Sequence, residues 1–217
     1  MRPALTIMLF ALVLGPPAWS AAVPQLRAGA AKVDVTPAER DLPPGYEGIL
    51  DRIYSRAVVI GDGTAFAALI SVDAGAVPDP IWTEVTRRLE SELGIPTDNV
   101  LLTATHTHSV PRQDVGAYTD KIVESVRLAK ARLVDARVGY GTGVSYLNVN
   151  RNIIDPKTRR WWEGPNYEGP SDKTVAVIAF ENVKGEPIAV YYNYAMHAVT
   201  VGQLDMVSGD APGTASK

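Results

Sequence analysis

An α/β fold of mixed β-sheets with hairpins, flanked by amphipathic helices, is what this sequence predicts, and two observations carry the prediction. Two pairs of strand-like runs are each joined by a short glycine-containing turn, and two segments with helical spacing of apolar residues lie between them. A tight turn makes neighbouring strands antiparallel, and helices interleaved with strands favour parallel pairing. Both in one chain imply a mixed sheet.

In chain order, Ala30 to Val35 reads as a short strand closed by Thr36-Pro37, and a loop through Pro43, Pro44, Gly45 and Gly48 follows. Ile53 to Ile60 and Phe66 to Val72 are strands separated by Gly61-Asp62-Gly63, the first predicted hairpin. A helix opens with Asp79 as its cap and Pro80 in its first turn. Ile81, Val85, Leu89 and Leu93 share one face, and Gly94 with Pro96 ends it. Val100 to Thr105 is a strand, after which a second amphipathic helix carries Ile122, Val126, Ala129 and Leu133 on one side. Arg137 to Leu147 is read as a strand and the following Trp- and charge-rich stretch as a loop. Thr174 to Glu181 and Pro187 to Tyr194 form a second hairpin about Lys184-Gly185.

The composition fits one ordinary globular domain: 217 residues, 46% hydrophobic and 21% charged, enough apolar material for a sizeable core. A net charge of -3 offers no basic surface of the kind nucleic acid requires, so nucleic acid is not expected as a partner. The chain has no cysteine, which excludes disulfides, a thiol nucleophile and thiolate-bound zinc. Any metal must therefore be held by His, carboxylate or Tyr.

Residues 1–22 read as a signal peptide. Arg2 supplies the positive charge, Leu5 to Leu14 the apolar core, and Pro16 and Pro17 break it before the small-residue site Ala18-Trp19-Ser20. The mature chain is expected to start at Ala21 or Val23 and to be secreted or periplasmic.

The strand Val100 to Thr105 runs into His106 and His108, and His197, the third and last histidine, follows another strand-like run. Side chains two apart on a strand point the same way, so His106 and His108 are expected to address one ion or one substrate. A lone buried histidine is usually a satisfied core residue, but two imidazoles on one face are costly to bury without a shared partner. A His-x-His pair with a distant third histidine suits catalytic zinc, which keeps three protein ligands and leaves a position for water. A zinc hydrolase is the first functional expectation.

The stretches RAGAAKVDVTP, YSRAVVI, LISVDAG, NVLLTATHTHS, YLNVNRN, AVYYNYAMHAVTVG and VSGDAPG occur in the order in which neutral, non-lysosomal ceramidases carry equivalent segments. The resemblance spans roughly Leu26 to Gly213, and residues 23–217 resemble the N-terminal portion of that family's catalytic domain. It implies a zinc-dependent hydrolase that cleaves the N-acyl amide bond of a sphingolipid or related lipid-like substrate, with room for peripheral membrane contact. Residue by residue, it implies that His106 and His197 are zinc ligands, that His108 stands near the reacting carbonyl, and that Arg151 in NVNRN orients or stabilises that carbonyl. Without the motif, Arg151 would read as an ordinary solvated charge.

Asp210 in SGDAPG is open to two readings, a residue that positions a ligand or water and a simple helix cap. Asp73, after LISV, is equally open. The sequence departs from the family in two ways. Val110, Pro111, Arg112 and Gln113 follow the HTHS core where the ceramidases are glycine-rich, which restricts backbone approach and points to a substrate other than ceramide. The family also completes its zinc shell with a glutamate and a tyrosine downstream of the segment corresponding to Lys217. The expectation is therefore a partial site, and the alternative is a truncated, inactive remnant acting as a binding or structural module. Other metallohydrolases fit less well. A metallo-β-lactamase-like site wants Asp-His soon after His-x-His, and a TIM-barrel amidohydrolase needs about 250 residues.

Overall fold

The computed structural model describes residues 25–112 and 114–217; the signal peptide expected at residues 1–22 and Gln113 lie outside them. The strands are β1 (Arg27–Asp34), β2 (Gly48–Ile49), β3 (Tyr54–Gly61), β4 (Phe66–Val72), β5 (Val100–Ala104), β6 (Val134–Val144), β7 (Asn150–Ile154), β8 (Trp161–Asn166), β9 (Thr174–Asn182), β10 (Pro187–Tyr194) and β11 (Met206–Val207). The helices are α1 (Asp79–Leu93), α2 (Val115–Ala131) and the short α3 (Asp210–Ala215).

Seven strands form one sheet in the order β10-β9-β6-β1-β3-β4-β5. Both predicted hairpins are present: β3 pairs antiparallel with β4, and β9 with β10. The β4–β5 pair, reached through α1, is parallel, so the sheet is mixed. Strand alternation divides its residues between two sides. Ala57, Val59, Ala68, Ile70 and Val72 meet Ile81, Val85 and Leu89 of α1 and Ile122, Val123 and Val126 of α2 in the main core. Val58 turns the other way, toward Ala28, Ala136 and Phe180. Gly29 is required by the close approach of α2: a Cβ there would lie 2.3 Å from the Ala129 carbonyl oxygen.

β1 meets β6 at only two register positions, Arg27↔Asp135 and Ala28↔Val134, so the two halves of the sheet diverge beyond them. A cavity of about 810 Å³ fills the gap, lined by Lys32, Arg56, Leu69, Thr103, Tyr191 and Tyr192 among others.

The helix ends follow local chemistry with one correction. Pro78, not Asp79, caps α1, and Asp79 and Pro80 occupy its first turn. At the other end Gly94 is left-handed (φ 63°), and the Gly94 and Ile95 N–H groups close on the Glu90 and Leu89 carbonyls. Asp114 caps α2 by accepting from Ala117 N–H at 2.9 Å. The larger correction concerns the stretch read as a loop. Residues 150–166 form a separate antiparallel hairpin, β7–β8, with a bulge between Asn150 and Asn152. Tryptophans next to arginines obscured its alternation.

Candidate metal centre at the strand ends

β4 and β5 run parallel, and the chain beyond their carboxyl ends supplies one side of the site, the usual position for ligands on such strands. β5 stops at Ala104, so His106 and His108 are not on a strand as the spacing argument assumed. Their convergence comes from a left-handed turn instead: His106 has φ 60°, a conformation that costs a β-carbon-bearing residue energy and is held only by its surroundings.

Those surroundings are specific. His106 Nδ1 lies 2.6 Å from the Gly75 carbonyl oxygen, on the loop after β4. Nδ1 must donate to that oxygen, which leaves Nε2 with a free lone pair. The segment carrying His108 is tied to its neighbours from both sides. His108 N–H donates to Ala198 O at 3.2 Å, the Thr107 hydroxyl to Ser208 O at 2.9 Å, and Ser208 N–H to Ser109 O at 2.8 Å.

The structure brings all three histidines together. His108 Nε2 is 3.3 Å from His106 Nε2 and 2.8 Å from His197 Nε2, and the ligating nitrogens of the three all lie within 4.8 Å of one another. Two nitrogens bound at about 2.1 Å to one tetrahedral zinc stand about 3.4 Å apart. The 3.3 Å between His106 and His108 is close to that, whereas the 2.8 Å between His108 and His197 is the length of an N–H···N hydrogen bond and shorter than two ligands on one ion would stand. The donor set suits a metal ion: imidazoles only, converging within 4.8 Å, with one tautomer fixed by a carbonyl. Burial first, then the Arg151 charge and the two neighbouring imidazoles, holds His197 below its ordinary pKa and keeps it in the neutral, ligating form. Its Nδ1 is buried without a partner among the described residues, unlike that of His106.

Arg151 sits in the bulge of β7 and lines a pocket of about 350 Å³ with His108, His197, Gly202, Gln203 and Glu163. Its guanidinium is paired with Glu163 at 2.5 Å. Glu163 is one of two site residues that the sequence reading missed. It lies on β8 within the stretch taken as a loop, and only the hairpin register sets it opposite Asn152 and within reach of Arg151. Gly75 was missed for another reason: it acts through a carbonyl, which every residue has.

The two open aspartates take structural parts. The Asp210 carboxylate accepts from the Thr200 hydroxyl and from the N–H groups of Thr200 (3.2 Å) and Val201 (3.0 Å), so it pins the loop that follows His197. Gly209, not Asp210, is the α3 cap. Asp73 is fully buried and paired with Arg56 at 2.8 Å.

Fold and site together define an α/β protein with a histidine-built, metal-competent pocket at strand ends. Comparison with known proteins gives the family. The profile of neutral/alkaline non-lysosomal ceramidases, N-terminal, matches residues 41–217, and the chain belongs to that family. The neutral ceramidase of Pseudomonas aeruginosa is 29% identical over an alignment covering 99% of this chain and 37% of that protein. The neutral ceramidase of Drosophila pseudoobscura is 27% identical, over 78% of this chain and 27% of its own length. Two solved structures, neutral ceramidase from Pseudomonas aeruginosa and a ceramidase complexed with C2, superpose with TM-score 0.72 at 26% identity, over 89% of this chain and 35% of theirs. The chain thus spans between about a quarter and a little over a third of the length of these relatives.

Proposed function

We propose that this chain is the histidine-bearing, N-terminal portion of a secreted or periplasmic zinc-dependent amide hydrolase of the neutral ceramidase type. It would act on the N-acyl bond of a sphingolipid or related N-acyl substrate. The observation that carries the reading is the convergence of His106, His108 and His197 beside Arg151, in a chain of this family. Export rests on the leader-like residues 1–22. Among the described residues no helix is long and apolar enough to cross a membrane.

In this reading His106 and His197 hold the zinc, with Gly75 O fixing the His106 tautomer. Zinc, when bound, supplies the Lewis acidity that makes water nucleophilic near neutral pH. His108, whose Nε2 stands 3.3 and 2.8 Å from the Nε2 atoms of His106 and His197, would move the proton between water and the leaving amine. Arg151 faces the same pocket and stabilises negative charge on the former carbonyl oxygen, and Glu163 holds its guanidinium against the pocket wall. Two histidines alone do not complete a tetrahedral shell, and the resemblance supplies the remainder, a glutamate and a tyrosine, from downstream sequence.

The test is hydrolysis of N-acyl amides by this chain and by a form extended through the region its relatives share. The extended form is expected to be active and to lose activity in His106→Ala, His108→Ala and Arg151→Ala, and the 217-residue form to show little or none. Turnover of ceramide by the short form at about 10 per second would overturn the partial-site account. The second reading is a binding or structural role without catalysis, favoured by Val110, Pro111 and Arg112 standing after HTHS where the resemblance implies glycines. It would be sustained if the extended form neither bound zinc nor cleaved any amide.

A further inference from the structure

The histidines come from two loops far apart in the chain, and one buried serine is bonded into both. Ser208 lies between β11 and α3, buried with Thr107, Ser109 and Asp210. Its N–H donates to Ser109 O at 2.8 Å and its carbonyl accepts from the Thr107 hydroxyl at 2.9 Å, so its backbone holds the segment that carries His106 and His108. Its hydroxyl serves the other loop. It donates to Asp51 Oδ2 at 2.6 Å and accepts from Asp210 N–H at 2.9 Å. The Asp210 carboxylate in turn accepts from the Thr200 hydroxyl and from the Thr200 and Val201 N–H groups, just beyond His197.

We infer that Asp51 and Ser208 are positioning residues that set the separation of the His106–His108 loop from the His197 loop. A carboxylate only accepts, so the Ser208 hydroxyl gives its single proton to Asp51 and turns a lone pair to Asp210 N–H. That second bond holds a strained residue: Asp210 has φ 56°, a left-handed state that a side-chain-bearing residue keeps only where its surroundings fix it. Asp51 is itself fixed. Its Oδ1 accepts from Gly209 N–H at 3.1 Å, its N–H donates to Val207 O at 3.3 Å, and the β2 strand before it pairs with β11. The direct bond between the two loops, His108 N–H to Ala198 O, is 3.2 Å, at the long end of the normal range, so the path through Ser208 carries much of the constraint. Ligand distances around a metal ion hold to about 0.2 Å, so the loop separation governs metal affinity. That consequence rests on the proposed function; the positioning itself does not.

The experiment has two arms on the whole chain: amide hydrogen exchange without metal, and zinc competition with the visible spectrum of the cobalt(II) form. Ser208→Ala is expected to speed exchange of the His108 and Val201 N–H groups, one on each loop, and to leave the β3–β4 amides at the parent rates. It should weaken zinc about tenfold and change the cobalt bands. Asp51→Asn should act in the same direction but less, because its amide oxygen still accepts from the hydroxyl. The double variant should match Ser208→Ala alone, since both residues act through one bond. Asp51 is only partly buried, so Asp51→Asn carries both arms if Ser208→Ala does not fold. Exchange that rises equally through the whole chain, unchanged exchange on either loop, or a zinc loss in the double variant equal to the product of the single losses would each overturn the inference. A parent that bound no metal would remove the proposed metal centre, and the exchange arm would still decide the positioning.

Discussion

Replacing Asp73 with alanine tests how the wall behind the site is held. Its Oδ2 accepts from Tyr54 N–H at 2.9 Å and from Arg56 Nη1 at 2.8 Å, and the side chain is fully buried. The pair is not itself a source of net stability: burial pushes the Asp73 carboxyl up from its ordinary pKa even with Arg56 beside it. The cost of the alanine comes from the partners left behind. A buried charge pair broken from one side costs about 3–5 kcal/mol. The Arg56 side chain is 18% exposed and opens on the large cavity, where water can reach it, so the lower end applies, about 3 kcal/mol. At about 2–4 °C per kcal/mol for a chain of this size, the midpoint of thermal unfolding should fall by about 6–12 °C. Asp73→Asn keeps an acceptor for Tyr54 N–H and loses only the charge, so about 1–2 kcal/mol is expected. The backbone of Asp73 stays anchored by Tyr54 O and the Tyr118 hydroxyl. The neighbouring Gly75 carbonyl, and with it zinc affinity, should therefore change little. The assay is urea and thermal unfolding followed by far-UV circular dichroism, with zinc titration alongside. A loss below about 1 kcal/mol for the alanine, or equal losses for alanine and asparagine, would refute the argument from orphaned partners.

Gly29→Ala places a Cβ against the Ala129 and Arg132 backbone, which cannot rotate away, and should cost about 1–3 kcal/mol in the same unfolding assay. For Asp210, burial pushes the carboxyl up, but the bonds from Thr200, Val201 and Ala211 outweigh it and hold it below its ordinary value. Its contribution is then complete above the unfolded value of about 3.9 and is lost as pH falls through the folded one. Asp210→Asn should accordingly flatten the fall of melting temperature below pH 4. His106→Ala or His197→Ala should each weaken zinc binding by more than about tenfold in a competition titration with a chromogenic chelator. Stoichiometric zinc surviving both would place the metal elsewhere. Mass spectrometry of the exported protein should find its first residue near Ala21 or Val23, and an intact Met1 would contradict the leader.

What the sequence determined by itself was local. The helix α1 is written in the spacing of Ile81, Val85 and Leu89 and in the left-handed Gly94 that ends it, since both act within a turn or two of chain. The β3–β4 and β9–β10 hairpins are likewise legible, because a short turn sets its two flanking strands side by side. The three histidines stood out by their residue type and by their place after strands. The tertiary structure decided what depends on residues far apart in the chain. It set β1 between β6 and β3, and it twisted His106 into a left-handed turn under the Gly75 carbonyl. It also buried Asp73 against Arg56 and placed Glu163 against Arg151 across a hairpin whose tryptophans and charges hid its alternation. The physical reason is the same in each case. Periodicity and caps are properties of neighbours along the chain, whereas a carbonyl behind an imidazole or a carboxylate beside a guanidinium exists only once packing has brought distant segments within hydrogen-bond reach.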